Sequence, residues 1–550
     1  MADAWDESVD VLVAGTGAAG LTAAITAADR GLRVLVVEST PRWGGTTAIS
    51  GGGLWMPGNP LARQEGFEDS AEDALLYMRT VIGDVGPASS VERRQAFLDA
   101  VPEVYGLLER LGARWVRAAD YPDYYPDRPG ARIGRTLEFE PVDTEPLGAW
   151  METARAKDGF PLPIKTDDVW LLARAWSTPG GFARGARFAA RAVRSLLAGR
   201  REFGMGGALS TGLMRIVLDQ KTPVRLRTPL VDLIQEDGAV VGAVVRRDGT
   251  HTRVRAERGV VLAAGGFAAN SEWRQKHHGI PGWTSAPEGD LGTAIDLGRR
   301  AGAALALMDD AWWGATVKLP EERGHGFVLW ERSFPYSMVV DSTGVRYTNE
   351  SASYVDFGHA MLERDRTVPA VPSWLVTDAR HARRYLRTYV LSGGGTKKFL
   401  ASGEMVRGRT VPELAVRMGV DPRVLRDSVA RFNGFARTGV DEDFGRGATA
   451  YDRYYSDPGV TPNPNLGAIA KGPFTAVKLY PGDLGTKGGL LTDADARVVR
   501  EDGGVIPGLY AAGNTTASVM GRTYPGAGAT IAPAMAFGYR AAAHLAGRVP

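Results

Sequence analysis

The chain has 550 residues, with 65 Lys and Arg against 63 Asp and Glu for a net charge of +2, a balance that lacks the concentrated positive field nucleic-acid binding needs. Cysteine is absent, which excludes disulfides, thiolate zinc sites, iron–sulfur clusters and cysteine nucleophiles and fits a reducing cytoplasm. With 44% hydrophobic and 23% charged residues the sequence is that of a globular protein, and its 70 glycines, well above a usual share of ~7%, point to many tight backbone turns.

The opening MADAWDESVD is acidic where a secretory signal would be basic and then apolar, and no apolar run reaches the roughly 18 residues of a membrane span. A cytoplasmic protein is expected. Asp10 to Ala14 reads as a short β-strand, followed by GTGAAG, an alanine-rich helix and a second strand, RVLVVE, ending at Glu38. Strand, glycine turn, helix and strand in this order open a dinucleotide-binding sheet. In the GxGxxG of Gly15, Gly17 and Gly20, the first glycine allows the turn, the second lets a pyrophosphate approach and the third permits close helix packing. Helix N-terminal amides face the phosphates. Glu38 is placed to accept from ribose hydroxyls, which suits FAD or NAD better than a 2′-phosphorylated cofactor.

Between Asp168 and Glu202 there is no acidic residue, while Arg174, Arg184, Arg187, Arg191, Arg194, Arg200 and Arg201 punctuate an apolar background. The spacing of residues 184, 187, 191 and 194 is helical, with Phe182, Ala189, Val193 and Leu196 on the opposite face. This is either a basic amphipathic helix able to lie on an anionic membrane or a solvated surface helix. Farther on, PLVDLIQEDGAVVGAVVRRDG reads as a β-meander turning at Asp237-Gly238 and Asp248-Gly249, and it leads into the buried strand RGVVLAAGGF. From about residue 313 to 485 aromatic residues and mixed loops replace the glycine turns, with amphipathic helices in TVPELAVRMG and VLRDSVARFNGFAR. The C-terminal part returns to nucleotide-site style in GLYAAGN, TYPGAGAT and a final alanine-rich helix. The fold class expected is α/β: a Rossmann-like domain built from both chain ends, 1–312 and 486–550, with an α+β substrate domain, 313–485, inserted.

The segments PRWGGTTAISGGG at 41–53, AAGGF at 263–267 and GLYAAGN at 508–514 resemble the flavoprotein superfamily of fumarate reductase and succinate dehydrogenase subunits. That resemblance selects FAD. It implies a cofactor site made of Gly15, Gly17, Ala18, Ala19 and Gly20, of Glu38 and Ser39, and of Gly44, Gly45, Thr46, Thr47, Ser50, Gly51 and Gly52, completed by Ala264, Gly265, Gly513, Asn514, Thr530 and Ile531. Members that attach flavin covalently use a histidine after the second strand; Thr46, Thr47 and Ala48 stand there, so non-covalent FAD is expected.

More narrowly, nearly the whole chain resembles bacterial 3-ketosteroid 1-dehydrogenases, through DYPDYYPDRPG at 120–130, MDDAWWG at 308–314, RYTNESASYVDFGHAM at 346–361, GVDEDFGRGATAYDRYY at 439–455, PGDLGTKGGL at 481–490 and VMGRTYPGAGATIAPAM at 519–535. Ala527 and Ala529 stand where relatives often carry Pro or Gly. The resemblance implies that the Tyr524 hydroxyl and the Gly528 amide hold a substrate 3-keto oxygen and that Tyr354 removes the proton from carbon 2. A further tyrosine assists Tyr354 by hydrogen bonding; Tyr124 matches, with Tyr121 at the aromatic position and Tyr125 as the alternative. It also implies an external electron acceptor, quinone-like or a dye.

Trp312 and Trp313 could line a sterol slot or fill a domain interface, and His325 and His359 are read as structural or surface residues. Asp441, Glu442 and Asp443, followed by Arg446, read as solvated or paired charge, and no metal site is expected. Competing readings are a 4-dehydrogenase of saturated 3-ketosteroids, a fumarate-reductase-like enzyme with cationic clamps for two carboxylates, and a non-catalytic flavin- or steroid-binding protein.

Overall fold

The first apolar run becomes β1 (Glu7–Ala14), whose last four residues are buried, and the alanine-rich stretch becomes α1 (Ala18–Asp29), buried from Ala18 to Ala27. Its small side chains let the helix lie close against the sheet. The second run forms β2 (Val34–Val37). The computed structural model describes residues 5–158, 162–173, 178–197 and 199–547. After β2 a side layer carries helices Ala71–Ile82 and Val91–Arg110 and a small antiparallel sheet of Leu54–Trp55, Thr136–Phe139 and Trp115–Arg117.

The arginine-rich segment forms α2 (Pro179–Leu197), but its arginines do not make one outward row. Arg184 and Arg191 turn onto buried Asp168, whereas Arg187 and Arg194 face solvent. The strip carrying Phe182 and Val193 is outward as well, 64% and 53% exposed. Arg174 and the side chain of Leu196 lie outside the described residues.

The meander appears as β3 (Val224–Arg225), β4 (Leu230–Glu236), β5 (Ala239–Arg247) and β6 (Thr250–Leu262), of which the last three pair antiparallel. Asp237 and Gly238 sit at φ +49° and +78°, and Asp248 and Gly249 at +49° and +81°. Both pairs thus have the left-handed geometry that matches hairpin twist.

The inserted domain has β7 (Ala311–Lys318), β8 (His325–Phe327), β9 (Ser337–Val340), β10 (Ser373–Thr377), β11 (Met405–Gly408) and β12 (Phe474–Thr486) in the antiparallel order β8-β7-β12-β10-β9, with β11 also on β12. Helices α3 (Tyr354–Asp365) and α4 (Thr388–Ser392) belong to it. The two amphipathic helices form as Val411–Met418 and Pro422–Thr438 and bury Leu414, Leu425 and Phe432 against Met338, Trp374 and Val376.

The chain returns through β13 (Arg497–Val499), β14 (Val505–Ala511) and α5 (Ile531–Leu545). The main sheet then reads β13-β14-β6-β1-β2-β3, parallel from β14 to β3, with β5 and β4 continuing off β6. The ends of the insertion lie side by side, Ala311 opposite Thr486. The boundaries expected at 312/313 and 485/486 therefore fall within paired strands.

Candidate active site

A continuous cavity of about 670 Å³ runs from the carboxyl ends of β1 and β2 into the inserted domain, the crevice where open parallel sheets bind ligands. Gly15 is at φ +111°, and a methyl there would lie 2.2 Å from the Ala263 carbonyl oxygen, so only glycine allows this approach. Gly17 caps α1 without a side-chain hydrogen bond of its own, and the Ala18 amide donates to the Thr47 hydroxyl at 3.0 Å; the helix N-terminus beside this pair suits a phosphate. Glu38 Oε2 accepts from the Thr16 hydroxyl at 2.7 Å and the Thr16 amide at 3.2 Å, and Oε1 from the Thr40 amide at 2.9 Å. The carboxylate is fixed, with lone pairs left for ribose hydroxyls. This donor and acceptor set fits FAD.

Every residue of the expected cofactor set lines the cavity except Gly20 and Gly44. Methyls there would meet the Gly15 oxygen at 2.1 Å and Ala48 Cβ at 2.8 Å, so both act by letting backbone pack. Asp290, unread in the sequence, also lines the cavity and accepts from the Thr46 hydroxyl at 3.2 Å. Burial pushes its carboxyl up to about 7, the Thr46 hydrogen bond opposing and Glu38 adding. Gly15→Ala will yield folded protein with little FAD, read as the flavin-to-protein absorbance ratio after purification; a wild-type ratio would contradict this account of the turn.

Farther in, Tyr121, Tyr124, Tyr354, Tyr524 and Gly528 line the same cavity. Tyr121 and Tyr124 ride on a loop pinned by Asp123, which accepts from the Trp55 indole at 2.8 Å and Arg135 at 2.7 Å. Tyr354 is the first residue of α3, and Tyr524 and Gly528 form the turn before α5. The Tyr524 ring centre lies 4.8 Å from that of Tyr354 and 5.2 Å from that of Tyr124. The Thr530 hydroxyl donates to the Tyr524 oxygen at 3.3 Å, and the Gly528 amide points at the same oxygen. The Tyr124 hydroxyl pairs with that of Tyr121 at 3.2 Å, and Tyr121 is in turn hydrogen-bonded to Tyr455. Where a Tyr124–Tyr354 hydrogen bond was expected, the two rings meet edge to face at 5.6 Å. Tyr125 is turned away from the cavity and donates to Asp356 at 3.0 Å. Burial raises Tyr124 and Tyr354 well above the ordinary tyrosine value, and neighbouring tyrosines add to it. For Tyr524 burial also raises the value, but hydrogen bonds from Thr530, Tyr354 and Gly528 oppose it.

The model of the FAD binding domain family matches residues 10–531, so FAD is the cofactor. The 3-oxosteroid 1-dehydrogenase of Mycolicibacterium smegmatis is 41% identical over 98% of this chain and 97% of its own length. That of Mycobacterium tuberculosis is 42% identical over 98% of each. The chain belongs to the 3-oxosteroid 1-dehydrogenase family. A solved structure, 3-ketosteroid delta1-dehydrogenase from Sterolibacterium denitrificans in complex with 1,4-androstadiene-3,17-dione, superposes with a TM-score of 0.92 at 36% identity, covering 98% of this chain and 100% of that one.

In this 3-oxosteroid 1-dehydrogenase family member the walls beyond the tyrosines are Phe327, Leu329, Trp330, Tyr389 and Leu484. Among the described lining residues the arginine is Arg155, at the cofactor end and paired with Glu288 at 3.2 Å. The cationic clamps of a fumarate-reductase-like site are not what these walls offer. Trp312 and Trp313 stand behind the cavity, donating to Asn514 at 3.2 Å and Asp310 at 2.7 Å. His359 also pairs with Asp310. Asp441 pairs with the Arg346 side chain at 2.6 Å and accepts from the backbone amides of Asp443, Phe444 and Arg446. Tyr455 is a further residue of the tyrosine cluster with no signature in the sequence: nothing in its spacing marks it from Tyr451 and Tyr454.

Proposed function

We propose that this protein is an FAD-dependent dehydrogenase of 3-ketosteroids that introduces a 1,2-double bond into ring A, in steroid degradation. The observation that carries this reading is the convergence of Tyr354, Tyr124, Tyr524 and the Gly528 amide on one apolar cavity continuous with the FAD cradle. The Tyr524 hydroxyl and Gly528 amide donate to the ketone oxygen, stabilise the negative charge that develops there and so acidify carbon 2. Tyr354 takes the proton from carbon 2. Tyr124 packs against both Tyr354 and Tyr524, and its hydroxyl contacts Tyr121, which in turn meets Tyr455, so that a buried network of hydroxyls backs the base. FAD, when bound, supplies the hydride acceptor for carbon 1. It is held without a covalent bond, and an external quinone-like or dye acceptor completes turnover. The cofactor domain is built from both chain ends, and the substrate domain is the insertion between them, entered and left through the paired strands β7 and β12.

Anaerobic mixing of the yellow protein with 4-androstene-3,17-dione tests the reading. Flavin bleaching with a 1,4-diene product is expected. No bleaching with that steroid or its 5α-saturated analogue would leave fold and cofactor standing and remove the substrate.

The apolar substrate also bears on α2. Its outward strip holds Phe182, Val193 and Leu197, the last 85% exposed, flanked by exposed Arg187 and Arg194. Ala173, which follows the preceding helix Thr166–Leu172, is tied to the cavity wall: the Leu386 amide donates to its carbonyl at 2.7 Å, and Ala173 packs with Trp330. Among the described residues no helix is long and apolar enough to cross a membrane. Peripheral contact with an anionic bilayer beside the cavity is the finer reading, each exposed arginine contributing about 1 kcal/mol at an anionic surface. The protein should sediment with phosphatidylglycerol vesicles and lose that binding when Arg187, Arg194, Arg200 and Arg201 are changed to Ser; a parent protein that ignores the vesicles ends the idea.

A further inference from the structure

Lys487 directly follows β12, in the GTKGGL segment, and its side chain is fully buried. A buried ammonium costs several kcal/mol unless its surroundings compensate. The Nζ donates to the Thr523 carbonyl at 2.9 Å, lies 4.6 Å from the centre of the Trp312 ring and stands 3.7 Å from Asp310 Oδ2. Asp310 directs its other oxygen elsewhere, accepting from the Trp313 indole at 2.7 Å, His359 at 2.8 Å and the Ala311 amide at 2.9 Å. The carboxylate therefore only partly neutralises the lysine.

Two of the lysine's contacts lead to the ketone-binding turn. Thr523 immediately precedes Tyr524. The Trp312 ring stands edge-on to the Tyr524 ring at 5.1 Å, and its indole N–H reaches Asn514 on the cofactor wall. A charge sealed this way is poorly screened.

We infer that Lys487 is a positioning residue for the dehydrogenation: its ammonium locks the Thr523–Tyr524 turn and the Trp312 ring so that the Tyr524 hydroxyl is aimed at the ketone oxygen, and its charge favours the anion developing there. The inference rests on the reading of Tyr524 as the ketone donor. The charged groups acting on Lys487 are Asp310 and Asp356, which hold its proton, and Arg522, which opposes them. Burial lowers it to about 8 despite the two carboxylates, so the ammonium form prevails at neutral pH. At Asp310 burial would raise the carboxyl, but Lys487 and His359 outweigh it and hold it at about 2.

The test uses FAD-loaded Lys487→Met and Lys487→Arg. It compares the anaerobic flavin-reduction rate with the affinity ratio between a steroid bearing a phenolic ring A, which resembles the enolate, and the same steroid without the 3-oxygen. Lys487→Met is expected to lose at least about tenfold in kcat, with KM little changed and the 3-oxygen preference reduced by a similar factor, and Lys487→Arg to recover part of both. Wild-type kcat and preference in Lys487→Met would overturn the inference. Should Lys487→Met not load FAD, Lys487→Gln, which keeps an N–H for Thr523 but no charge, carries the same comparison. Tyr524→Phe serves as reference: if it too keeps the 3-oxygen preference, the donor reading of Tyr524 has failed, and if it alone loses it, only the role of Lys487 has.

Discussion

Tyr354→Phe will reduce the anaerobic rate of flavin bleaching by a 3-ketosteroid about 10²–10⁴-fold, the usual contribution of a general base, while FAD content and steroid binding stay near wild type. The substitution removes one hydroxyl from a ring packed among Phe327, Tyr124 and Tyr524, so the wall itself survives. The same residue sets the pH response. Burial raises the Tyr354 hydroxyl well above its ordinary value, and its hydrogen bond to Tyr524 raises it further. The proton is thus held at neutral pH, the basic anion is a minor species, and its share grows as pH rises toward the folded value. The bleaching rate of the wild type should therefore climb from about pH 6 to about pH 9, by up to tenfold per unit if the free anion is required, and Tyr354→Phe should lose this slope. A flat profile with chemistry limiting, or a Phe variant that bleaches at the parent rate, would remove Tyr354 from the role of base.

The cofactor half of the site was legible in the chain because it is made of local patterns. A glycine at Gly15 is demanded by a carbonyl 2.2 Å from where a methyl would stand, and such demands recur as short motifs beside strands. Asp290 reaches the same cavity from a loop far along the chain, and its burial next to Thr46 and Glu38 has no local signature. The tyrosines show the opposite limit. Residues 124 and 125 are adjacent, and only the Asp123 anchor and the Asp356 partner decide which ring turns into the cavity. On α2 the spacing of residues 184, 187, 191 and 194 reads as helical, but periodicity cannot say which of these arginines meet the protein and which face solvent. Asp168 decides that by drawing Arg184 and Arg191 inward.

Gly528→Ala will cost more than removal of a side-chain donor nearby. Gly528 is at φ +90°, and an added methyl would lie 2.1 Å from the Gly53 oxygen and 2.4 Å from the Leu54 nitrogen. Both are backbone atoms of the glycine-rich segment that lines the cofactor cavity, so neither can swing aside as a side-chain tip could. Either the turn or that segment must shift, and a displacement of about 1 Å at a reacting centre costs about 10²-fold in rate. Tyr524→Phe leaves the turn in place and removes one donor to the developing oxyanion, a loss of about 10²–10³-fold in kcat. Gly528→Ala should match or exceed that loss and, unlike Tyr524→Phe, also weaken FAD retention, because Gly53 moves with it. Gly31→Ala separates strain from collision: Gly31 is at φ +79° with nothing within 4 Å of the added methyl, so it should cost about 1 kcal/mol of stability and leave the bleaching rate unchanged. If Gly528→Ala behaves like Gly31→Ala, the contact with Gly53 is not what holds the ketone-binding turn, and the amide of residue 528 is not fixed for the role given to it.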